Sequence, residues 1–204
     1  GQNGQHLLRV DKEQSYTKST VEDELLKDLV DTDTVLISDY NKGVIQKDTV
    51  QKILTKCKNV YVDPKQGFSR YIGAFLIKPN MKEYEAWFGK FNIEIAQDRC
   101  KSNLWTWLIV TDGANGIHVV SKDSYKHIKG DAIEVSDVSG AGDSVLAIIA
   151  HYSQHKDIPS ACELAYKGAQ KNVQKRGVSI ISKTDIEDII VWTNGVFDIL
   201  HKGH

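Results

Sequence analysis

A series of short apolar segments, each ending in polar residues, most constrains how this chain can fold. Residues 35–40 (VLISDY) form a continuous apolar run that is typical of a strand buried on both faces of a parallel sheet. Similar runs follow at 59–64 (NVYVDP) and 75–80 (FLIKPN), and helical spacing of apolar residues lies on either side of them, at 46–57 and 81–89. This alternation predicts an α/β fold with a parallel sheet flanked by helices. Ligands are then expected at the carboxyl ends of the strands.

Turn residues and helix signals predict the remaining elements. We expect further strands at 7–10, 107–111, 117–120 and 132–136, the middle two joined as a hairpin by DGANG, and helices at 20–30, 141–154 and 160–175. A fresh strand is expected at 190–193, after a segment without a low-complexity linker. The pattern therefore predicts a domain boundary near Asp188, with one domain over 1–188 and the start of another over 189–204.

The composition excludes several classes of partner. The chain has 26 Lys and Arg against 27 Asp and Glu, so no broad basic face is expected for nucleic acid and any recognition of phosphate must be local. No apolar run approaches the roughly 20 residues of a membrane helix, and the first residues lack the pattern of a signal peptide. Cys57, Cys100 and Cys162 have neither zinc nor redox spacing. These observations predict a cytoplasmic protein without nucleic-acid or membrane partners.

The motif DVSGAGDSVLAIIAHY, residues 137–152, carries the chemistry that the sequence indicates most clearly. Small residues at 140–142 allow a tight turn whose backbone N–H groups, together with the dipole of the following helix, can bind phosphoryl oxygens. Asp143 would lie beside that anion site and could accept the proton of an attacking hydroxyl. The alternative is that the two glycines only form a turn between a strand and a helix, which Asp143 then caps. The spacing alone leaves both interpretations open.

The same motif resembles the D-x-[TS]-G-A-G-D signature of the ribokinase-like (PfkB) carbohydrate kinases. The resemblance implies a three-layer sandwich with a mainly parallel central sheet, and it implies ATP, Mg²⁺ and a sugar acceptor. It makes Asp143 the catalytic base and forms the anion hole from Gly140, Ala141 and Gly142. Because only the second half of such a kinase is matched, the fold is expected to be incomplete at its N-terminus.

The segment IKPNMKEYEAWFG, residues 77–89, allows two interpretations. Asn80 and Glu83 have the spacing of a reciprocal capping box, which satisfies free backbone donors at a helix start without any ligand. The segment also resembles the N-x-x-E motif of the same kinases. That resemblance implies cofactor binding by Asn80, Met81, Lys82 and Glu83, with Asn80 and Glu83 organising Mg²⁺. One pair of side chains can serve both purposes.

The turn TDGANG, residues 111–116, is an ordinary hairpin turn by its composition. It also resembles the nucleotide loop of the kinases, and the resemblance implies that Thr111 and Gly113 lie along ATP. The later segment AYKGAQKN, residues 165–172, departs from the small-residue run that is common in the family.

Charged and aromatic residues follow two of the predicted strands. Asp39 and Tyr40 end the run at 35–40 and Lys42 follows it, while Asp63 lies near the end of the run at 59–64 and Lys65 follows that run. Because open α/β sheets bind ligands at the carboxyl ends of their strands, these positions are candidate ligand contacts. Lys65 is predicted to contact a phosphate.

The last residues, TNGVFDILHKGH, resemble the opening of the cytidylyltransferase-like nucleotidyltransferases, whose mark is H-x-G-H after a strand. Two imidazoles three residues apart at a helix start can hold the phosphates of a nucleotide. The alternative is that the two histidines at the chain end have no function. The resemblance implies nucleotide binding by five residues: Thr193, Asn194, Phe197, His201 and His204.

The order of the two signatures resembles a family of bifunctional bacterial enzymes that act on heptose phosphates. The resemblance implies phosphorylation of heptose 7-phosphate and adenylyl transfer onto heptose 1-phosphate, with ATP and a sugar phosphate as small-molecule partners and a homodimer as a candidate assembly. Two alternatives stay open at this point. The kinase could act on another sugar or a nucleoside, since a fold does not choose a substrate, or the chain could bind nucleotide without turnover.

Overall fold

A computed structural model describes residues 26–27, 29–41, 45–65, 67–130 and 141–173. Six strands lie in this part of the chain: β1 (Thr34–Asp39), β2 (Asn59–Pro64), β3 (Leu76–Ile77), β4 (Trp107–Thr111), β5 (Gly116–Val120) and β6 (Tyr125–Lys129). Five α-helices accompany them: α1 (Lys47–Lys56), α2 (Met81–Phe88), α3 (Ile93–Ser102), α4 (Ala141–Tyr152) and α5 (Ile158–Val173). Short 3₁₀ turns lie at Phe68–Tyr71 and Gly113–Asn115.

The strands form one sheet in the order β1-β2-β3-β4-β5-β6. Strands β1 to β4 are parallel to one another, and β5 and β6 extend the sheet as an antiparallel hairpin. The predicted mainly parallel sheet is therefore confirmed. The parallel strands require crossover connections, which the helices and loops between them supply.

Helices cover both faces of the sheet, which gives three layers. Alternate residues of β4 show the division: Leu108 and Val110 belong to the core with α1, α2 and α3, whereas Ile109 belongs to the core with α4 and α5. This alternation follows from the two-residue period of a strand, because successive side chains point to opposite faces. Each fully buried aliphatic side chain contributes about 1.5–3 kcal/mol to the stability of such a core.

Helix α4 is the most completely buried of the described helices over its central turns. Its residues 145–150 (VLAIIA) are all buried, because the sheet lies on one side of the helix and α5 on the other. A helix that is apolar around its circumference is stable only in such a position. The burial fixes the first turn of α4, which carries Asp143, against the carboxyl ends of the strands.

Several predicted elements differ from the observed ones. The segment 35–40 forms a strand, but Leu36 is 38% exposed because β1 lies at the edge of the described sheet and is not covered on both faces. The predicted strand 75–80 is reduced to β3, and Asn80 forms only an isolated bridge with Thr111. Helix α3 and strand β6 were not predicted, because their apolar residues are few and widely spaced.

The predicted strands at 7–10 and 132–136, most of the predicted helix at 20–30, and the boundary near Asp188 lie outside the described residues. Helix α4 ends two residues earlier than expected, and α5 spans Ile158–Val173 where the sequence predicted 160–175. Among the residues that the structure describes, no helix is both long enough and apolar enough to cross a membrane.

Candidate active site

The carboxylate of Asp143 lies where β1 ends and α4 begins. Ser38 Oγ donates a hydrogen bond of 2.7 Å to Asp143 Oδ1, and the Tyr40 hydroxyl donates one of 2.5 Å to Oδ2. Burial, the hydrogen bond to Asp143 and the charge of that carboxylate raise the pKa of Tyr40 to about 12. Tyr40 is therefore protonated at neutral pH and acts as a donor.

A buried ion pair lies beneath the first turn of α4. Lys78 Nζ is 3.0 Å from Asp63 Oδ2, and the two side chains are 2% and 1% exposed. A Cβ atom added at Gly142 would lie 3.2 Å from that Asp63 oxygen and 3.5 Å from Lys78 Nζ. The glycine therefore lets the start of α4 approach the ion pair closely.

Lys65 lies in the cleft among three acidic residues. Its Nζ atom is 3.5 Å from Glu83 Oε1 and 3.8 Å from Asp63 Oδ1. It also lies 5.7 Å from the centre of the Tyr40 ring. Burial lowers the pKa of Lys65, but the carboxylates of Asp63, Glu83 and Asp143 outweigh that effect, so the pKa is raised overall. The ammonium group therefore stays charged, and the Lys65 side chain is 35% exposed.

The capping box predicted for Asn80 and Glu83 is present. Asn80 Oδ1 accepts from the Glu83 N–H at 2.9 Å, and Glu83 Oε2 accepts from the Asn80 N–H at 2.8 Å. The other oxygen of Glu83 is left to face Lys65 and the cleft. Met81 packs against the core and Lys82 is exposed, so neither side chain joins this arrangement.

The donor set near Glu83 has the chemistry that Mg²⁺ requires. Mg²⁺ is usually held by one or two carboxylates together with water and substrate phosphates, and Glu83 offers one oxygen that the cap does not use. Asp63 offers a buried carboxylate whose oxygens accept no hydrogen bond from a described residue. In the described ranges, no group of three or more His, Cys, Asp or Glu side chains forms a metal cage. Glu83 Oε1 therefore fits a Mg²⁺ ion that is also held by water and by substrate phosphates.

The loop between β4 and β5 reaches the same edge of the sheet. Thr111 is bridged to Asn80 and its N–H donates to the Pro79 carbonyl at 3.1 Å. Gly113 has a φ of 51°, in the left-handed region that favours glycine. The two predicted segments, 77–89 and 111–116, are thus neighbours in space.

A stack of aromatic rings supports this loop from the hairpin. The rings of His118 and His127 are parallel with centroids 4.3 Å apart, and His127 Nε2 donates to the Asn115 carbonyl at 3.0 Å. Phe91 covers the other side of His118, with its centroid also at 4.3 Å. Burial lowers the pKa of His118, and His127 lowers it further, while Asp112 opposes the shift.

We expect acid to destabilise the chain through His118. Because its pKa is depressed in the folded state, the unfolded chain binds more protons below a pH of about 6.5, and the free energy of unfolding falls as the pH decreases. Urea unfolding at several values between pH 5 and 8 measures the slope of the free energy of unfolding against pH. His118→Gln should reduce this slope, by at most the amount that corresponds to one bound proton. An unchanged slope in the variant would contradict the assignment to His118.

Asp39 does not belong to the cleft. It is 2% exposed and turns to the opposite face of β1, where Arg70 Nη1 donates to Oδ2 at 3.3 Å and the Tyr71 hydroxyl donates to the same oxygen. The Asn41 N–H donates to Oδ1 at 2.7 Å. Its role in the structure is to hold the turn after β1, so the prediction of a ligand contact at Asp39 is wrong.

The sequence missed Ser38 and Lys78. The two-residue period of a strand places Ser38 on the same face as Tyr40, and that period was the available signal. Lys78 lies in an apolar segment, and a lysine in such a segment signals a buried partner. Gly140, Thr193, Asn194, Phe197, His201 and His204 lie outside the described residues, and for Ala141 only the helical backbone is described.

Comparison with known proteins gives one family. A model of the "pfkB family carbohydrate kinase" matches residues 4–185. Among curated proteins, "Bifunctional protein HldE" from Shewanella sp. (strain ANA-3) is 33% identical over 98% of this chain and 51% of its own length. The protein of the same name from Shewanella putrefaciens is also 33% identical over the same shares. The chain thus spans about half the length of the curated relatives it matches.

Solved structures show the same fold. A ribokinase from Thermotoga maritima matches with a TM-score of 0.64 at 23% identity, over 80% of this chain and 56% of its own. Phosphofructokinase-2 from Escherichia coli matches with a TM-score of 0.69 at 16% identity, over 81% and 58%. A phosphofructokinase described as putative, from Staphylococcus aureus, matches with a TM-score of 0.70 at 17% identity, over 91% and 67%.

Proposed function

Because the chain belongs to the pfkB family of carbohydrate kinases, we propose that it carries the ATP site and the catalytic base of a kinase that converts heptose 7-phosphate to the 1,7-bisphosphate. The observation that carries this proposal is the placement of Asp143. Its carboxylate lies at the start of α4, at the carboxyl ends of the parallel strands, with one oxygen held by the hydroxyl of Ser38 and the other by that of Tyr40. That is the position in which a base can meet a hydroxyl aimed at a phosphate on the helix N-terminus.

The reaction assigns one task to each part of the site. The acceptor hydroxyl oxygen attacks the γ-phosphorus of ATP, the bond from that phosphorus to the bridging oxygen breaks, and ADP leaves. The proton of the hydroxyl passes to the carboxylate of Asp143. The backbone N–H groups at residues 140–142 and the dipole of α4 stabilise the charge on the transferred group. Such positioning and electrostatic stabilisation account for most of the catalysis in phosphoryl transfer.

Lys65 and Glu83 prepare the cleft for the phosphates. Mg²⁺ bound with ATP would neutralise phosphate charge, and Glu83 and Asn80 are the residues that would hold it, directly or through water. The Lys65 ammonium is charged, partly exposed and 3.5 Å from Glu83 Oε1. It supplies a local positive charge that the nearly neutral composition of the chain does not. Its contact with a phosphate is part of this proposal.

The nucleotide is proposed to lie along the loop after β4. Thr111 is adjacent to Asn80, and Gly113 gives the loop a backbone conformation that leaves no side chain in the way. We propose that ATP lies across the ends of β3 and β4, with its terminal phosphate directed to α4. The arrangement agrees with the general position of ligands in open α/β sheets.

The choice of heptose phosphate rests on the relatives and on the terminal motif. The curated relatives carry the name "Bifunctional protein HldE", and they extend well beyond the matched length. We propose that residues 189–204 begin an adenylyltransferase domain, in which Thr193, Asn194, Phe197, His201 and His204 bind the nucleotide. The complete protein would then serve ADP-heptose synthesis for the lipopolysaccharide core, in the cytoplasm, where the free cysteines Cys57, Cys100 and Cys162 would stay reduced. A homodimer is the assembly to test for.

An acceptor panel tests the proposal in the complete parent protein. ADP release with Mg²⁺ and ATP is measured with heptose 7-phosphate, ribose, fructose 6-phosphate or no acceptor. We expect kcat/KM to be highest for heptose 7-phosphate. A higher kcat/KM for another sugar would contradict heptose 7-phosphate as the substrate but would still support a sugar kinase. ATP binding without acceptor-dependent ADP release would leave only a nucleotide-binding protein and would overturn the proposal.

A further inference from the structure

Ser38 on β1 and Tyr40, directly after β1, hold the two oxygens of one carboxylate on α4. Ser38 Oγ lies 2.7 Å from Asp143 Oδ1, and the Tyr40 hydroxyl lies 2.5 Å from Oδ2. The two donors are two residues apart in the chain, which places them on one face of the strand. Their shared acceptor is more than 100 residues away in sequence. The contacts therefore depend on the docking of α4 onto the sheet.

The direction of both hydrogen bonds is determined by chemistry. An ionised carboxylate has no proton to donate, so Ser38 and Tyr40 must be the donors. Each carboxylate oxygen has two lone pairs, and one donor from the described part of the chain at each oxygen leaves a further acceptor position on both. Asp143 can therefore be held by Ser38 and Tyr40 and still accept a hydrogen bond from a third hydroxyl. That free acceptor position is what a proton acceptor needs.

We infer that Ser38 and Tyr40 are positioning residues, which fix the carboxylate of Asp143 in the orientation that receives the proton of the acceptor hydroxyl. The inference rests on the proposed kinase function. An aspartate in the first turn of a helix is otherwise free to rotate towards the backbone N–H groups of its own helix, as a capping residue does. The two hydroxyls oppose that rotation. A misplacement of about 1 Å at a reacting group can lower a rate by about 10²-fold, so the constraint has a catalytic consequence.

The position of Tyr40 allows a clean separation of its hydroxyl from its ring. The residue is 53% exposed, and Lys65 Nζ lies over its ring, 5.7 Å from the ring centroid. Removal of the whole side chain would disturb Lys65 as well. Tyr40→Phe keeps the ring and its contact with Lys65 and removes only the hydrogen bond to Asp143. Ser38→Ala and Ser38→Thr form the corresponding pair at the other oxygen, one without and one with a hydroxyl.

The test measures kcat and KM of these variants in the complete protein. We expect Tyr40→Phe and Ser38→Ala each to lower kcat by roughly ten- to a hundredfold, with KM for ATP unchanged within about twofold. Ser38→Thr should retain most of the activity. In an Asp143→Asn background, Tyr40→Phe should have no further effect, because Tyr40 acts through Asp143.

A matched control removes another tyrosine hydroxyl next to the same helix. Tyr61 pairs with Ser153 Oγ at 2.7 Å, at the far end of α4 from Asp143. Tyr61→Phe should leave kcat unchanged. An equal loss of kcat in Tyr61→Phe, a wild-type kcat in Tyr40→Phe, or an additive loss in the Asp143→Asn background would overturn the inference while the kinase function stands. Absence of phosphoryl transfer in the wild-type protein would overturn both.

Discussion

Asp143→Asn in the complete protein is expected to retain ATP binding and to lower phosphoryl transfer by about 10²–10⁴-fold. The amide has nearly the shape of the carboxylate and stays beside Ser38 and Tyr40, but it cannot take up the proton of the acceptor hydroxyl. Under the proposed binding mode, ATP contacts the N-terminus of α4 and Lys65 in both proteins, so its affinity should not change. Titration of ATP by calorimetry and acceptor-dependent ADP release measure the two properties separately.

The control is a second aspartate at a helix start. Asp157 caps α5, where its Oδ1 accepts from the Ser160 N–H at 2.8 Å, and it lies beyond the opposite end of α4. Asn is as good a capping residue as Asp, so Asp157→Asn should preserve both stability and turnover. Unchanged turnover in Asp143→Asn would remove that residue from its assigned role. Loss of ATP binding in the same variant would indicate a damaged site in place of a missing base.

Lys78→Met is expected to lower the free energy of unfolding by about 3–5 kcal/mol. The substitution leaves the carboxylate of Asp63 almost completely buried, without the ammonium 3.0 Å from its Oδ2. Neither Asp63 oxygen accepts a hydrogen bond from a described residue. Lys65 Nζ, 3.8 Å from Asp63 Oδ1, then compensates only in part, because its side chain is 35% exposed and its charge is screened by water. Urea unfolding of the complete protein, followed by circular dichroism, measures the change in midpoint.

Two comparisons make this result specific to burial. Lys122→Met removes an exposed lysine that lies 3.6 Å from Asp123, and it should change the midpoint little because such pairs are screened by water. The double variant Asp63→Leu with Lys78→Met should regain much of the stability lost in Lys78→Met, since apolar replacement of a buried pair is often neutral. A midpoint for Lys78→Met equal to that of the wild type would contradict the importance of the ion pair.

The strands could be predicted where burial dictates the residue types. The runs at 59–64 and 107–111 are apolar because helices cover both faces of the central strands, and both strands have the predicted bounds. The edge positions were less predictable. Leu36 and Ser38 are exposed on β1, and β6 alternates polar and apolar residues without a buried position. An edge strand has weaker hydrophobic patterning, so its sequence carries less information.

The candidate site could be predicted only where a local motif carries it. The cap between Asn80 and Glu83 lies within one turn of helix and follows from its spacing. The contacts of Asp143 with Ser38 and Tyr40 join segments more than 100 residues apart, and no local pattern encodes that pairing. The contacts of Asp39 were also not predictable from the local sequence. Asp39 follows Ser38 directly, but the alternation of the strand turns it to Arg70 and Tyr71.

A crystal structure of the complete protein with a non-hydrolysable ATP analogue and a sugar phosphate tests most directly whether phosphates gather at the start of α4 beside Asp143. We expect the terminal phosphate to lie on the backbone N–H groups at residues 140–142, and the acceptor hydroxyl to lie about 2.6–3.2 Å from the Asp143 carboxylate. A terminal phosphate bound away from α4, or an acceptor hydroxyl out of reach of Asp143, would contradict its assignment as the base.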